Sequence, residues 1–158
     1  MWCTAYFLFD FYCDFEEKLL LKSQLLHPEI LAALAGGGHG AQVLIADGNY
    51  PSSTHAAPNA RRVYLNLAPG TVSATEVLRV IAAAIPIESA QVMQPADGRD
   101  APIFTEFRTL LPGLTLEPLE RFAFYAQSSV PETCLVIATG EQRIYANILL
   151  TIGVVPPP

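Results

Sequence analysis

The chain reads as a single layered α/β/α domain, and three patterns support that class. Apolar runs of strand length stand at Gln42–Ala46 and Cys134–Ala138, with a third apolar stretch inside Tyr145–Val155. Amphipathic segments of helical period lie between them. Gly and Pro punctuate the joins at Gly36–Gly38, Pro86 and Pro112-Gly113. Buried strands alternating with helices need a helix layer over the sheet, the layout of a layered α/β domain. At 158 residues the chain is long enough for one core and too short for two.

The elements follow in order. Pro28–Ala35 is predicted helical, because proline suits the first helical position, Glu29 favours the positive end of the helix dipole, and Ile30, Leu31 and Leu34 share a face. Gly36-Gly37-Gly38 stops it. The strand Gln42–Ala46 comes next, then a turn at Gly48–Pro51 and a polar loop through Arg62. Val63, Leu65 and Leu67 alternate with Tyr64 and Asn66, the period of a half-buried strand. Ser73 and Glu76 form a Ser-x-x-Glu capping box; Val77, Leu78, Ile81 and Ile85 line one helical face, and Pro86 ends it. A strand near Gln91–Met93, a polar loop at Asp97–Asp100 and an amphipathic segment at Ile103–Leu111 lead to the break at Pro112-Gly113. A short helix over Arg121–Gln127, the buried strand Cys134–Ala138 and a last strand within Tyr145–Val155 complete the series.

Composition narrows the function classes. Net charge is −6 with no run of Lys or Arg, which argues against nucleic acid as a partner, since phosphate binding needs a positive patch. The start, Met1 to Asp10, is apolar but lacks a basic leader. Asp10 and Asp14 interrupt it well short of the ~20 apolar residues of a membrane span, so neither export nor membrane insertion is expected. Its aromatics suit an extension that is poorly ordered or docked on a neighbouring subunit, or one ahead of the true start. Cys3, Cys13 and Cys134 form no Cys-x-x-Cys pair, which suits a cytoplasmic protein, with Cys134 as a core residue. Apolar residues make up 51% of the chain against 15% charged, a ratio that predicts a homo-oligomer whose interfaces absorb the surplus.

The glycine run is not a phosphate cradle. Nucleotide motifs run strand, glycine loop, helix, whereas here the order is helix, glycines, strand, with no Gly-Lys-Ser/Thr. His27, His39 and His55 lack metal-ligand spacing, so no metal site is expected, and no Gly-x-Ser-x-Gly elbow is present. His27 reads as a helix-start residue and His55 as a loop residue. Two other stretches place polar groups at element ends, where sites collect. In Gly38–Pro51, His39 sits in a glycine loop before a buried strand and Asp47 ends that strand. In Thr139–Leu150, a Tyr145-Ala146-Asn147 turn opens into an apolar run. The strand separates His39 from Asp47, so the two need not touch within one subunit.

Together with Leu26-His27-Pro28-Glu29-Ile30-Leu31 and Arg121-Phe122-Ala123-Phe124-Tyr125, these stretches resemble the ribose pyranase and fucose mutarotase family (RbsD/FucU). The resemblance runs in order from about Leu25 to Val155. It implies a family domain over residues 25–155, with an extension over 1–24 and a tail at 156–158. It further implies interconversion of the anomers or ring forms of a free monosaccharide without any cofactor or metal. The family's catalytic histidine falls on His39, its sugar-binding aspartate on Asp47, and its C-terminal sugar-binding triplet on Tyr145, Ala146 and Asn147. The sugar-contacting arginine of the fucose branch falls on Arg121. A decamer is the assembly that the resemblance suggests. Two departures bear on the substrate: Leu67-Ala68-Pro69-Gly70 stands where fucose-type members carry Arg-Ala-Asp-Gly, and Ala126–Thr133, with Pro131, replaces what in relatives is a continuous helix.

These groups suit ring opening and closure. A proton must leave the anomeric hydroxyl while another reaches the ring oxygen, work that an imidazole performs in either direction near neutral pH. Asp47 and Asn147 can hold ring hydroxyls, and Arg121 can bind hydroxyls or stabilise developing oxygen charge. The expected function is a mutarotase of L-fucose or a related hexose. Ribose pyranase is the alternative within the family, and a non-catalytic monosaccharide-binding protein the alternative outside enzymes.

Overall fold

The computed structural model describes residues 23–157. The extension expected over 1–24 therefore lies outside the described residues except for Ser23 and Gln24. The elements run α1 (Pro28–Gly36), β1 (Gln42–Ala46), β2 (Arg61–Tyr64), α2 (Ala74–Ala84), β3 (Ile87–Met93), α3 (Phe104–Leu110), β4 (Leu116–Leu119), α4 (Arg121–Ser128), β5 (Thr133–Ala138) and β6 (Ile148–Ile152). One six-stranded sheet has the order β2-β5-β1-β6-β3-β4. β1, β2 and β5 run parallel, β6 runs antiparallel to both of its neighbours, and β3 pairs parallel with β4. Among the described strands only β6 opposes the common direction, so the other five end at the same edge of the sheet.

Strand alternation sorts the core into two layers. Val43 and Ile45, Leu135 and Ile137, and Ile148 and Leu150 point into one layer, where Ile30 of α1, Leu78 and Ile81 of α2 and Phe104 and Phe107 of α3 cover them. Leu44 and Ala46, Val136 and Leu149 point into the other, covered by Phe124 of α4 and by Tyr50, Ala56, Ala57 and Ala60 of the segment after β1. All five residues of β1 are buried, as expected of a central strand covered on both faces.

The local signals act where the chain carries them. Ser73 Oγ accepts from the Glu76 amide at 3.2 Å while Glu76 Oε2 accepts from the Ser73 amide at 2.7 Å, a complete capping box. His27 occupies the N-cap position of α1, with no side-chain capping bond. The strand expected to reach Leu67 ends at Tyr64, because its partner β5 ends opposite it at Ala138; Leu67 is 88% exposed. β3 begins at Ile87, earlier than its apolar end suggested, and β6 occupies only the middle of the Tyr145–Val155 stretch. α4 stops at Ser128, so the segment around Pro131 is a turn into β5. Cys134 is half-buried rather than fully in the core, and burial pushes its thiol up from its ordinary value.

Candidate active site

The edge where the five co-directional strands end is also the edge where β6 begins. It therefore gathers Asp47 after β1, Met93 at the end of β3, Arg121 after β4, and Tyr145 and Asn147 before β6. These residues, with Asn49, Tyr50, Tyr125 and Ile144, line a cavity of about 440 Å3. That volume falls in the ~300–1,000 Å3 range of small-molecule sites, and the ends of strands in open α/β sheets are where such sites form.

Asp47 and Asn147 form a reciprocal pair across the β1–β6 junction. The Asp47 amide donates to Asn147 Oδ1 at 2.9 Å, and Asn147 Nδ2 donates to Asp47 Oδ2 at 2.9 Å. The Ala146 amide adds a bond to Asp47 Oδ2 at 3.2 Å, and the Asn49 amide one to Asp47 Oδ1 at 2.9 Å. Burial pushes the Asp47 carboxyl above its usual range, and these hydrogen bonds pull it back in part. The Tyr50 amide also acts on this carboxylate, so backbone and side-chain donors together fix Asp47 in the cavity wall. Ala146 itself is fully buried, and its contribution here is the backbone amide.

Tyr145 adopts φ 63°, the left-handed region that disfavours residues with a Cβ. That turn aims its phenol at the cavity, where Arg121 NH2 donates to Tyr145 Oη at 3.3 Å. Arg121 is the first residue of α4. Its position is set by Glu120, whose carboxylate caps the helix by accepting from the Phe122 and Ala123 amides at 3.0 and 2.8 Å. Tyr125, four residues on, shares that helical face and lines the cavity. Its ring stacks on His55 at 4.5 Å and meets Tyr50 edge-on at 5.5 Å. The Tyr50 hydroxyl donates to the His55 carbonyl at 2.8 Å and pairs with Ser128 Oγ at 2.6 Å; burial raises its pKa to about 12, so it is a fixed, neutral wall.

His39 is not in this cavity. It precedes β1, at the opposite edge of the sheet, and the five residues of β1 alone span ~17 Å. There Nε2 meets Glu88 Oε2 of β3 at 2.8 Å, with both side chains largely solvent-facing. The turn that presents His39 is fixed by Gly40, whose φ is 81° and whose amide donates to the Ile152 carbonyl at 2.9 Å. Among the residues expected from sequence, the structure thus brings together Asp47, Arg121, Tyr145 and Asn147, with Ala146 beneath them, and leaves His39 apart. Sequence reasoning missed Tyr125, Tyr50, Met93 and Glu88. Tyr125 had a signal, its four-residue spacing from Arg121, whereas Glu88 had none.

A model of the RbsD / FucU transport protein family matches residues 20–155. The chain belongs to that family. It is 34% identical over 146 residues to a fucose mutarotase of Danio rerio, an alignment covering 84% of this chain and 92% of the relative. It is 33% identical over 140 residues to a D-ribose pyranase of Chloroflexus aggregans, covering 89% and 98%. Among solved structures, the fucose mutarotase of Streptococcus pneumoniae in complex with L-fucose superposes with a TM-score of 0.69 at 32% identity, covering 82% of this chain and 94% of the other. Both branches are thus represented at similar identity. Leu67, Ala68 and Pro69 of the Leu67–Gly70 departure lie beside the cavity rather than in it, in a neighbouring polar hollow of about 490 Å3 that shares Asn49. No group of three or more His, Cys, Asp or Glu residues among the described residues is arranged to hold a metal ion. No helix among them is long and apolar enough to cross a membrane.

Proposed function

We propose that this protein is a cofactor-free mutarotase, an isomerase that interconverts the anomers of a free monosaccharide of the L-fucose type. The observation that carries the reading is the convergence of Asp47, Asn147, Tyr145 and Arg121 on one polar cavity, in a chain whose relatives include a fucose mutarotase bound to L-fucose. Asp47 accepts a sugar hydroxyl from the cavity, and the pairing with Asn147 holds that carboxylate in one orientation. Arg121 and Tyr145 bind at the ring oxygen or an adjacent hydroxyl, where negative charge grows as the ring opens. His39 acts as general acid/base: it takes the anomeric hydroxyl proton as the C1 carbonyl forms and the C1–ring oxygen bond breaks, a solvent water gives the proton that the ring oxygen takes up, and closure on the other face of the aldehyde reverses both transfers.

Because His39 stands at the far edge of its own sheet, it reaches a cavity only from a second copy of the chain. Exposed apolar side chains support such an arrangement. Ile144 (65%) lines the cavity, and Phe122 (74%) and Leu67 line the hollows beside it, where an approaching subunit would cover them. The active form is accordingly a homo-oligomer, for which the family resemblance suggests a decamer, and the cysteine usage suits the cytoplasm.

The test is anomer exchange by NMR saturation transfer, on a panel of free sugars, with the parent and with His39→Ala. A fall of ~10²–10⁴-fold with the fold intact is expected. Co-expression of His39→Ala with Asn147→Ala should restore exchange that neither variant shows alone, since each supplies what the other lacks. Parental exchange by His39→Ala, or a stable monomer at micromolar concentration in light scattering, would remove the mechanism. Binding of a sugar without exchange would leave a non-catalytic binding protein. Ribose pyranase is the second reading, supported by Ala146 within Tyr145-Ala146-Asn147, the form of the triplet that the ribose branch carries, and by the ribose pyranase relatives.

A further inference from the structure

We propose that Glu141 and Arg143 are positioning residues that clamp the left-handed Tyr145 turn in place over the cavity; the proposal rests on the mutarotase reading above. Tyr145 at φ 63° persists only if its surroundings over-determine it. On its C-terminal side the turn is pinned by the Ala146 and Asn147 bonds to Asp47. On its N-terminal side, Ile144 is 65% exposed, so the nearest anchor is the Arg143 side chain.

That anchor is unusually complete. Arg143 Nε donates to Glu141 Oε1 at 2.9 Å, its NH2 to Glu141 Oε2 at 2.8 Å, and its NH1 to Glu106 Oε1 of α3 at 2.6 Å. The paired donors match the two carboxylate oxygens, a geometry that a flexible ammonium cannot reproduce. Glu141 is held in turn. Its side chain is 6% exposed, Oε2 accepts from the Ala74 amide at the start of α2 at 3.3 Å, and Oε1 accepts from the Arg143 amide at 3.0 Å. Its backbone carbonyl accepts from the Gly48 amide, one residue after Asp47, at 2.9 Å. The clamp thus ties the start of α2, the side of α3 and the loop after Asp47 to a point two residues before Tyr145. A surface ion pair placed elsewhere would do none of this.

The experiment uses the full chain in its native assembly. In Arg143→Ala, backbone amide exchange at Ala146 and Asn147 should accelerate by ~10-fold or more while the amides of Val43–Ala46 keep their protection, the signature of a local opening. Anomer exchange should fall ~10-fold, since small misplacements of positioned groups cost that much or more, and Arg143→Lys should recover only part of it. In a Tyr145→Phe background the same Arg143→Ala change should cost less than ~3-fold in rate, because residues acting as one unit are not additive, whereas any loss of thermal stability should be the same in both backgrounds. Arg143→Gln serves if the alanine variant fails to fold. Unchanged protection at Ala146 and Asn147, or a rate penalty that is equal in both backgrounds, overturns the proposal. A parent protein that exchanges no sugar removes the mutarotase reading instead, and amide protection then decides alone whether the clamp exists.

Discussion

Acid should draw stability from this protein through Glu141. Hydrogen bonds from the Arg143 side chain hold its pKa at about 2, against an ordinary value of 4.5, despite the opposing effect of burial. A folded pKa below the unfolded one means that the unfolded chain takes up the proton first. The stabilisation is therefore complete above pH 4.5 and is lost as pH falls toward 2. A shift of about 2.5 units at ~1.4 kcal/mol per unit amounts to ~3 kcal/mol, of which ~2 kcal/mol is gone by pH 3. Asp47 works the other way, since its raised pKa makes the folded chain bind a proton more readily, and Glu76 at the α2 cap works in the same sense as Glu141. Comparison with Glu141→Gln cancels both. Urea unfolding at fixed protein concentration should show the parent ahead of Glu141→Gln at pH 7, with the gap narrowing by ~2 kcal/mol at pH 3. A gap of the same size at both pH values would refute the reasoning, because it would mean that Glu141 ionises alike in the folded and unfolded chains.

Three further outcomes follow from the geometry. Ser73→Ala should cost ~1 kcal/mol in urea unfolding, because it strips the cap from α2 while leaving the buried face of that helix intact. Gly140→Ala should cost ~3 kcal/mol in the same assay: a Cβ there would overlap the carbonyl oxygens of Thr71 and Ala68, where the loop after β2 lies against the chain after β5. Arg121→His should weaken exchange of L-fucose more than that of D-ribose in saturation-transfer NMR, since a histidine cannot reproduce the guanidinium fork that meets Tyr145 Oη.

Much of the fold is legible in the sequence because its signals are local. The run Val43-Leu44-Ile45-Ala46 is of strand length, rich in β-branched residues and flanked by Gly40 and Gly48, which marks a strand buried on both faces, and Ser73 with Glu76 marks the start of α2 within a four-residue window. β4 is the counter-example. It is an edge strand of four residues with Pro118 inside it and only Leu116 buried, so neither apolar alternation nor length announces it; pairing with β3 makes it a strand. The site divides in the same way. His39, Asp47, Tyr145 and Asn147 each stand beside a glycine or turn at an element end, which the chain itself displays. That Asp47 grips Asn147, a hundred residues on, depends on β6 entering the sheet antiparallel beside β1. That Arg121 and Tyr125 join them depends on β4 delivering α4 to the same edge. The tertiary structure alone decides that His39 meets Glu88 of β3. Periodicity and capping are written by neighbours in sequence, whereas convergence is written by strand order, a pairing between segments too far apart for any local pattern to encode.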